Sequence, residues 1–323
     1  MQSERVSYGQ QISAIRGTPD TDVSFAISSI SSSGSGSKYQ DAATVALETE
    51  FEDCELAVTT MRIQAIKNLM ISLKDILIDT NIIFDAEGIK IINMDKTETI
   101  LVHMHLLANR FEYYKCNREK IVIGINMTHL FMFISTIDAT DTLTISIPKH
   151  FYEDGVVTHL RLTCKSKINS EIREIDMKLI EPETEELSYP DVTYSSILNL
   201  KSAHLQKIVR DASRVSDRIE ISFVGGQIIV KYDGPIGKVT LYKSENPRGD
   251  DTNHVAARAS ATANAANNSK IAQGIFSLKY LGYFIKCTPL CADIEVYLEN
   301  DLPIIVKYDV MGLGEIRLCL SQL

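Results

Sequence analysis

The chain has no apolar run approaching the ~20 residues that a membrane-spanning helix needs, and its N-terminus has no hydrophobic signal segment. Its six cysteines, at positions 54, 116, 164, 287, 291 and 319, form no CxxC pair, which indicates reduced, packed thiols. Positive charge is also scarce, because the formal net charge is −9. These absences predict a soluble, intracellular protein that is not generally basic, although a local basic face would still bind phosphate.

What the chain does contain is the same structural unit written twice. Residues 73–95 and 210–234 each read as an apolar helical segment, a short strand, a turn and a second apolar strand that ends at an aspartate. Gly88 marks the first turn, and Gly225 and Gly226 mark the second. The length of 323 residues, 45% of them hydrophobic, suits about two domains with real cores, in agreement with a duplication.

A second pair of segments recurs later in each half. Gly124-Ile125 is predicted to open a helix before a strand at 143–147, and Gly274-Ile275 to open a helix before a strand at 294–298. Most of the remaining sequence alternates apolar and polar residues, which is typical of antiparallel strands. We therefore predict the α+β class, with two similar domains that each have two helices packed on antiparallel sheets. The predicted helices cover 61–78, 126–136, 202–215 and 276–286.

Composition divides the chain into segments. The N-terminal region is rich in serine and glycine with little periodicity, which predicts disorder. The acidic stretch between Pro182 and Pro190 predicts an extended connector, because prolines at both ends disfavour a helix or a central strand. The predicted segments are an extension at 1–44, a first domain at 45–175, a connector at 176–191 and a second domain at 192–323 that carries a mobile loop at 246–270.

Three of the predicted helices carry rows of basic residues. The row lies opposite the apolar residues in the third helix, on the narrow polar side of the fourth, and nearer the apolar border in the first. A solvated helix face is the alternative explanation for any one of these rows. Three rows at matching places in a duplicated scaffold instead favour binding to phosphates without base readout. No aromatic residues alternate with the basic ones, so duplex DNA is favoured over single strands. The basic residues are Lys67, Lys74, Lys207, Arg210, Arg214, Lys279 and Lys286.

Four segments of the chain, residues 111–128, 176–196, 276–290 and 302–320, closely resemble the eukaryotic and archaeal sliding clamp, proliferating cell nuclear antigen. The resemblance covers essentially all of 45–323 except the loop at 246–270. It implies a closed, pseudo-six-fold ring of three identical two-domain subunits that encircles duplex DNA and tethers DNA polymerase, with a clamp loader as a further partner. It also implies that helices line the hole, that the seven basic residues face the DNA, and that strands near 157–164 and 237–243 join the subunits.

The resemblance further implies a pocket beneath the connector that binds short peptides from partner proteins. Core packing is the alternative explanation for some of its residues, and most strongly for Leu101 and Leu318. Leu187 and Tyr189 are harder to explain as core, because they are apolar residues in an acidic, proline-bounded segment. The matching positions are Met94, Leu101, Leu187, Tyr189, Pro190, Pro303 and Leu318, with Ile316 nearby.

The sequence also departs from the family pattern. Phe131 and Ile134 stand where the family has basic residues, which predicts weaker attraction of DNA by the second helix. Glu98 replaces a usual histidine beside the pocket, which would alter peptide preference. His103 and His105 share a strand face, but no third ligand lies nearby in sequence, so no metal site is predicted.

The first functional hypothesis is a homotrimeric sliding clamp without enzymatic activity, cofactor or membrane contact. The second, within the same fold, is a dimeric processivity factor or one subunit of a hetero-oligomeric, checkpoint-type clamp. The third is an enzyme, which we disfavour because no convergent set of titratable residues is recognisable. A clamp would act in the nucleus, or in a viral replication compartment if the protein is viral.

Overall fold

The computed structural model of the chain describes residues 49–168, 170–182, 187, 193–224, 227–235, 237–244 and 271–323. The N-terminal extension, the loop at 246–270, Tyr189 and Pro190 lie outside these residues. The predictions for them therefore stay predictions. Among the described residues, no helix has the length and apolar character needed to cross a membrane.

Four α-helices lie within the predicted helical segments. Each helix is shorter than predicted, because the hydrophobic periodicity of the sequence continues beyond the helix into the neighbouring turn or strand. The α-helices are α1 Ile63–Leu73, α2 Met127–Ser135, α3 Ser202–Ala212 and α4 Leu278–Phe284, and a 3₁₀ helix, Ile285–Leu290, follows α4 directly.

The remainder of the described chain is dominated by antiparallel strands. The strands, in chain order, are β1 Cys54–Thr60, β2 Asp79–Asp85, β3 Gly88–Met94, β4 Ile100–Leu107, β5 Tyr113–Cys116, β6 Lys120–Asn126, β7 Thr142–Pro148, β8 Tyr152–Glu153, β9 Val156–Val157, β10 His159–Lys165, β11 Ile172–Lys178, β12 Ser196–Lys201, β13 Arg218–Val224, β14 Gln227–Gly234, β15 Gly237–Ser244, β16 Ala272–Ser277, β17 Asp293–Leu298, β18 Ile304–Asp309 and β19 Gly314–Leu320.

The two glycines that were predicted to open helices belong to strands instead. Gly124 lies within β6, and Gly274 lies within β16. At Gly124 the reason for glycine is a close approach of the backbone, since a Cβ there would lie 2.6 Å from the carbonyl oxygen of Ile180. The Ile180 N–H donates to the Gly124 carbonyl oxygen at 3.0 Å. Helix α2 begins after Asn126, whose side chain accepts hydrogen bonds from the backbone N–H groups of Thr128 and His129.

The described chain forms two compact units. Unit 1 contains residues 49–63, 111–119 and 137–178, and unit 2 contains residues 64–110, 120–136 and the described residues from 179 onwards. The boundaries of these units differ from the predicted domain boundaries at 175 and 192. The predicted boundaries refer to the sequence repeat and stay a prediction. Strand β11 also continues to Lys178, into the segment predicted as connector.

Unit 1 contains a five-stranded sheet with the order β11-β10-β7-β1-β5 and the small hairpin β8-β9. Unit 2 contains an eight-stranded sheet, β12-β17-β18-β19-β4-β3-β2-β6, and a four-stranded sheet, β15-β14-β13-β16. The eight-stranded sheet joins the two halves of the sequence, because β19 pairs antiparallel with β4 from Gly314–Leu106 to Leu320–Ile100. Alternate residues of β4 are buried, so one face of this sheet covers the core.

The strand orders confirm the predicted duplication. The order β11-β10-β7-β1 in the first half corresponds to β19-β18-β17-β12 in the second, and β4-β3-β2-β6 corresponds to β15-β14-β13-β16. Each half therefore builds the same two four-strand arrangements. The repeat also corrects one expectation: the strand near 157–164, β10, is an internal strand, and β11 is the edge strand beyond it. Strand β15, predicted as an edge near 237–243, does lie at the edge of its sheet.

Candidate functional site

Helices from both halves of the sequence meet in unit 2. The Ser72 hydroxyl, on α1, donates to the carbonyl oxygen of Lys286 at 3.1 Å, and the Asn68 side chain donates to that of Pro289 at 3.3 Å. From α3, the Gln206 side chain donates to the Ile285 carbonyl oxygen at 3.3 Å. We call α1, α3, α4 and the 3₁₀ helix Ile285–Leu290 the helix cluster. It places four of the polypeptide segments that carry the predicted basic residues side by side.

Helix α3 has the predicted division into an apolar and a basic face. Leu205, Ile208, Val209 and Ala212 are buried. Lys207, Arg210 and Arg214 are exposed, on the other face. Arg214 lies 3.8 Å from Asp211, one turn earlier, a distance at which an exposed pair contributes little. These three cations are therefore available to an external anion.

The other four predicted basic residues differ in their surroundings. Lys279 is exposed, and its Nζ lies 5.4 Å from the ring centroid of Tyr280. Lys67 is half-buried on α1. Lys74 and Lys286 are both engaged by one carboxylate, that of Asp75.

Asp75 accepts hydrogen bonds through both of its oxygens. Lys74 Nζ lies 2.9 Å from Oδ1, and Lys286 Nζ lies 2.5 Å from Oδ2. Desolvation alone raises the pKa of Asp75, but the hydrogen bonds from Lys286 and Lys74 outweigh it, so the pKa is lower than its usual value. Asp75 is therefore a carboxylate at neutral pH. No feature of the sequence near Asp75 identifies Lys286, 211 residues away, as its partner.

A second candidate surface lies on the eight-stranded sheet. Register pairs connect Met94 to Leu101, Leu101 to Cys319 and Cys319 to Ile305, and they continue across two further strands. We call the resulting line of side chains the apolar row. Its members are the half-buried Met94, Leu101 and Tyr297, the buried Cys319 and Ile305, and the exposed Ile197.

The apolar row contains two of the predicted pocket residues and corrects a third. Met94 and Leu101 are half-buried neighbours, so the alternative explanation of Leu101 as a core residue does not hold. Leu318 is fully buried and points to the opposite face of the sheet, as does Ile316. Cys319, which is 5% exposed, lies on the same sheet face as Leu101, and Leu318 lies on the opposite face, because a shift of one residue along a strand changes the face. The pocket assignment of Leu318 is therefore wrong.

Residues near the end of the connector extend this surface. The Tyr194 hydroxyl donates to the carbonyl oxygen of Pro303 at 2.9 Å. The Tyr194 ring lies edge-on to Tyr297, with 6.0 Å between the ring centroids. Leu187 and Pro303, two other predicted pocket residues, are half-buried. Tyr194 was missed by sequence reasoning, although it follows the proline-bounded connector closely and is aromatic.

Charged side chains border the apolar row. Lys307 Nζ lies 3.3 Å from a carboxylate oxygen of Glu295 and 3.3 Å from one of Glu315, and Arg317 lies 2.7 Å from Glu315. Burial, followed by the hydrogen bond to Glu295, raises the pKa of Tyr297 to about 12, so this phenol stays protonated at neutral pH. Among the described residues, no group of three or more His, Cys, Asp or Glu side chains is arranged to hold a metal ion. The arrangement suits an apolar ligand with a polar rim.

The chain is similar to known proteins over most of its length. The family model described as "Proliferating cell nuclear antigen, N-terminal domain" matches residues 56–186, and "Proliferating cell nuclear antigen, C-terminal domain" matches residues 188–323. The "Probable DNA polymerase sliding clamp" of Acanthamoeba polyphaga mimivirus is 29% identical over 237 residues, which cover 73% of this chain and 47% of that protein, about half its length. The "Probable DNA polymerase sliding clamp 1" of Paramecium bursaria Chlorella virus 1 is 27% identical over 267 residues, 82% of this chain and 96% of that protein.

Proposed function

This chain belongs to the proliferating cell nuclear antigen family, and we propose that it is the subunit of a DNA sliding clamp, a ring that encircles duplex DNA and tethers DNA polymerase to it. The mechanism is topological and needs no catalysis. Once the ring is closed, the DNA leaves only when a subunit contact opens, so weak phosphate contacts are sufficient. The partner protein is then held near the DNA at a high effective concentration.

The observation that carries this proposal is a strand arrangement that occurs twice in the chain. One pair of strands in it is hydrogen-bonded, whereas the corresponding pair of strands is not. Within the chain, β19 pairs with β4. The duplicated counterparts of these two strands are β11 and β15, and among the described residues each lies at the end of its sheet with one unpaired edge. An unpaired edge strand is a template for pairing with another chain.

The exposed side chains of these edges support a contact between copies. Ile175 on β11 and Tyr242 on β15 are 42% and 48% exposed, and each strand has a second exposed apolar side chain, Ile172 on β11 and Val239 on β15. We propose that β11 of one copy pairs with β15 of the next, in the way that β19 pairs with β4. This contact joins two different surfaces, so it must close into a ring or grow into a fibre. The family resemblance favours closure with three copies, each of which contributes two repeats.

The helix cluster supplies the proposed DNA-facing surface. Its exposed cations are Lys and Arg side chains, which neutralise phosphates and do not read bases in this arrangement. Attraction of this type depends on salt and not on sequence, which lets the ring slide. The clamp would act where DNA is replicated, in the nucleus or in a viral replication compartment, with a clamp loader to open it.

The apolar row is the proposed docking site for DNA polymerase and other partners. A short peptide with aromatic and aliphatic side chains would bury them against Met94, Leu101 and Ile197, while the charged border forms the polar rim of the contact. The half-buried Leu187 lies in the same unit and contributes to the pocket in this proposal.

A retention experiment tests the topological mechanism. We expect the loaded protein to stay on nicked circular DNA at a salt concentration that abolishes its binding to a short duplex, and to leave the circle when it is linearised. The reason is that salt screens phosphate contacts but does not open a closed ring. The measurement is gel filtration of labelled protein with each DNA. Equal retention on linear and circular DNA would contradict the proposal. A mass corresponding to two subunits, or assembly only with other chains, would favour the dimeric or hetero-oligomeric alternative.

A truncation experiment tests the docking site. Replacing Leu101 and Leu187 by alanine should weaken capture of an aromatic-ended clamp-binding peptide by about tenfold or more, because truncation of a buried anchor costs about 1–2 kcal/mol. The measurement is a peptide titration followed by fluorescence anisotropy. Met132→Ala is the matched control, since Met132 is an exposed apolar residue on α2. Unchanged affinity of the double variant would move the docking site to another surface.

A further inference from the structure

Two lysines of the helix cluster share one carboxylate and rest on two aromatic rings. Asp75 joins Lys74, which directly follows α1, to Lys286 in the 3₁₀ helix after α4. Lys74 Nζ lies 5.1 Å from the ring centroid of Phe131, and Lys286 Nζ lies 5.1 Å from that of Tyr283. Each ammonium group is therefore held by a carboxylate oxygen and by the face of a ring. We call these five residues the Asp75 cluster.

The Asp75 cluster has a smaller effective charge than its two lysines suggest. One carboxylate offsets one of the two ammonium charges, so the net charge is +1 and not +2. The lysine side chains are partly accessible, at 26% for Lys74 and 37% for Lys286. They can thus be reached by another anion, in contrast to a fully buried ion pair. Lys207 and Arg210 on α3 have no such competitor among the described residues.

We propose that Asp75 competes with duplex phosphate for Lys74 and Lys286 and so limits how tightly the helix cluster holds DNA. The inference rests on the proposed function, because it assumes that the helix cluster faces DNA. A phosphate that approaches either lysine meets the negative charge of Asp75 at close range, and it must displace that carboxylate or share the ammonium group with it. Either alternative makes the contact weaker than one with a lysine that has no partner.

The position of the Asp75 cluster confines this effect to Lys74 and Lys286. Phe131, which stands where the resemblance led us to expect a basic residue, provides a ring for Lys74 and no charge for DNA. The cluster also spans both halves of the chain, so that a single carboxylate moderates cations from each. A clamp that slides requires weak contacts, and Asp75 lowers attraction without removing the lysines.

The test is the substitution Asp75→Asn, which keeps the shape of the side chain and removes its charge. We expect about a three- to tenfold lower Kd for a short duplex at low salt, because two ammonium groups become available to phosphate. The plot of log affinity against log salt should steepen by up to about 2, since each phosphate contact contributes about 0.9 to the slope. Fluorescence anisotropy with a labelled duplex at several KCl concentrations measures both quantities.

The matched control is Asp211→Asn, which makes the same change in net charge. Asp211 lies on α3 within the helix cluster, but its partner, Arg214, is 3.8 Å away and 79% exposed. We expect less than about a twofold change in Kd and no change in slope. Equal gains for Asp75→Asn and Asp211→Asn would overturn the proposal, because the effect would then come from the general field of the protein.

A second pair of variants separates the possible failures. Lys74→Gln combined with Lys286→Gln should weaken binding less in the natural chain, where Asp75 competes for both lysines, than in the Asp75→Asn background, where it should remove the whole gain. Suppose that Asp75→Asn binds DNA like the natural chain, whereas reversal of the α3 cations weakens binding. This result would refute the role of Asp75 and leave the proposed function intact. If neither change affects binding, the helix cluster does not face DNA. Light scattering and thermal unfolding verify assembly and folding of each variant. If the two lysine substitutions reduce the affinity as much in the natural chain as in the Asp75→Asn background, the proposal is wrong.

Discussion

We expect the natural chain at micromolar concentration to have about three times the mass of one subunit, 36.1 kDa. We expect a variant with Ile172→Asp and Ile175→Asp on β11, or with Val239→Asp and Tyr242→Asp on β15, to be monomeric under the same conditions. The residues replaced are Ile172, Ile175, Val239 and Tyr242, all exposed apolar side chains on the two unpaired edges. Carboxylates on an edge strand oppose the pairing of another strand, because they must be desolvated in the contact. Light scattering measures the mass directly.

Mixing the two variants gives the sharper result. The β11 variant keeps an intact β15 edge, and the β15 variant keeps an intact β11 edge. A contact between unlike edges therefore predicts a 1:1 heterodimer that cannot close, because each partner contributes only one working edge. If either variant forms a homodimer by itself, the contact joins like edges and the proposed ring is wrong. Met132→Asp, at an exposed position on α2, is the control and should retain the mass of the natural protein.

Reversal of charge at Lys207, Arg210 and Arg214 is expected to lower affinity for a short duplex by about 10- to 100-fold at low salt, because three phosphate contacts per subunit are replaced by repulsion. The salt dependence should become shallower, and DNA-stimulated synthesis by the tethered polymerase should fall. The three side chains are exposed, so the free energy of unfolding should change little. Anisotropy, a primer-extension assay and urea unfolding measure these three quantities.

The control for this experiment changes the net charge equally at another place. Lys96, Arg110 and Lys120 are exposed in unit 2 and lie outside the helix cluster, in a turn, in the short 3₁₀ helix Ala108–Arg110 and at the start of β6. Replacing them by glutamate should leave the salt dependence of DNA binding close to that of the natural chain. Equal losses for both triple variants would mean that net charge, and not the surface of α3, attracts the DNA.

Much of the local structure could be predicted because it depends on residues close in sequence. The 3.6-residue period of α3 correctly separated Leu205, Ile208 and Val209 from the basic residues. The glycine at position 88 correctly marked the hairpin between β2 and β3, where its φ of 148° strains other residues. Repetition of these local patterns was enough to predict the duplicated α+β fold.

Apart from the helix ends and the two glycines that lie in strands, the errors concern sheet order and strand register, which depend on distant segments. Strand β10 was expected at an edge, yet it lies between β7 and β11 because the next segment adds one more strand. Leu318 was assigned to the pocket, yet Cys319 and not Leu318 shares a sheet face with Leu101, because the register of β19 against β4 pairs Cys319 with Leu101. A pattern of period two identifies two faces but does not say which face is covered.

The amino-acid sequence by itself determined the secondary structure types, the duplication and the clustering of basic residues on helix faces, because hydrophobic periodicity and turn residues act over a few positions. The tertiary structure alone decided which strand edges stay unpaired, which residues form the apolar row and which lysines are already occupied. The pairing of Asp75 with Lys286 is an example, since a carboxylate and an ammonium group attract each other only at short range, and folding brings these two residues within 2.5 Å across 211 positions of the chain.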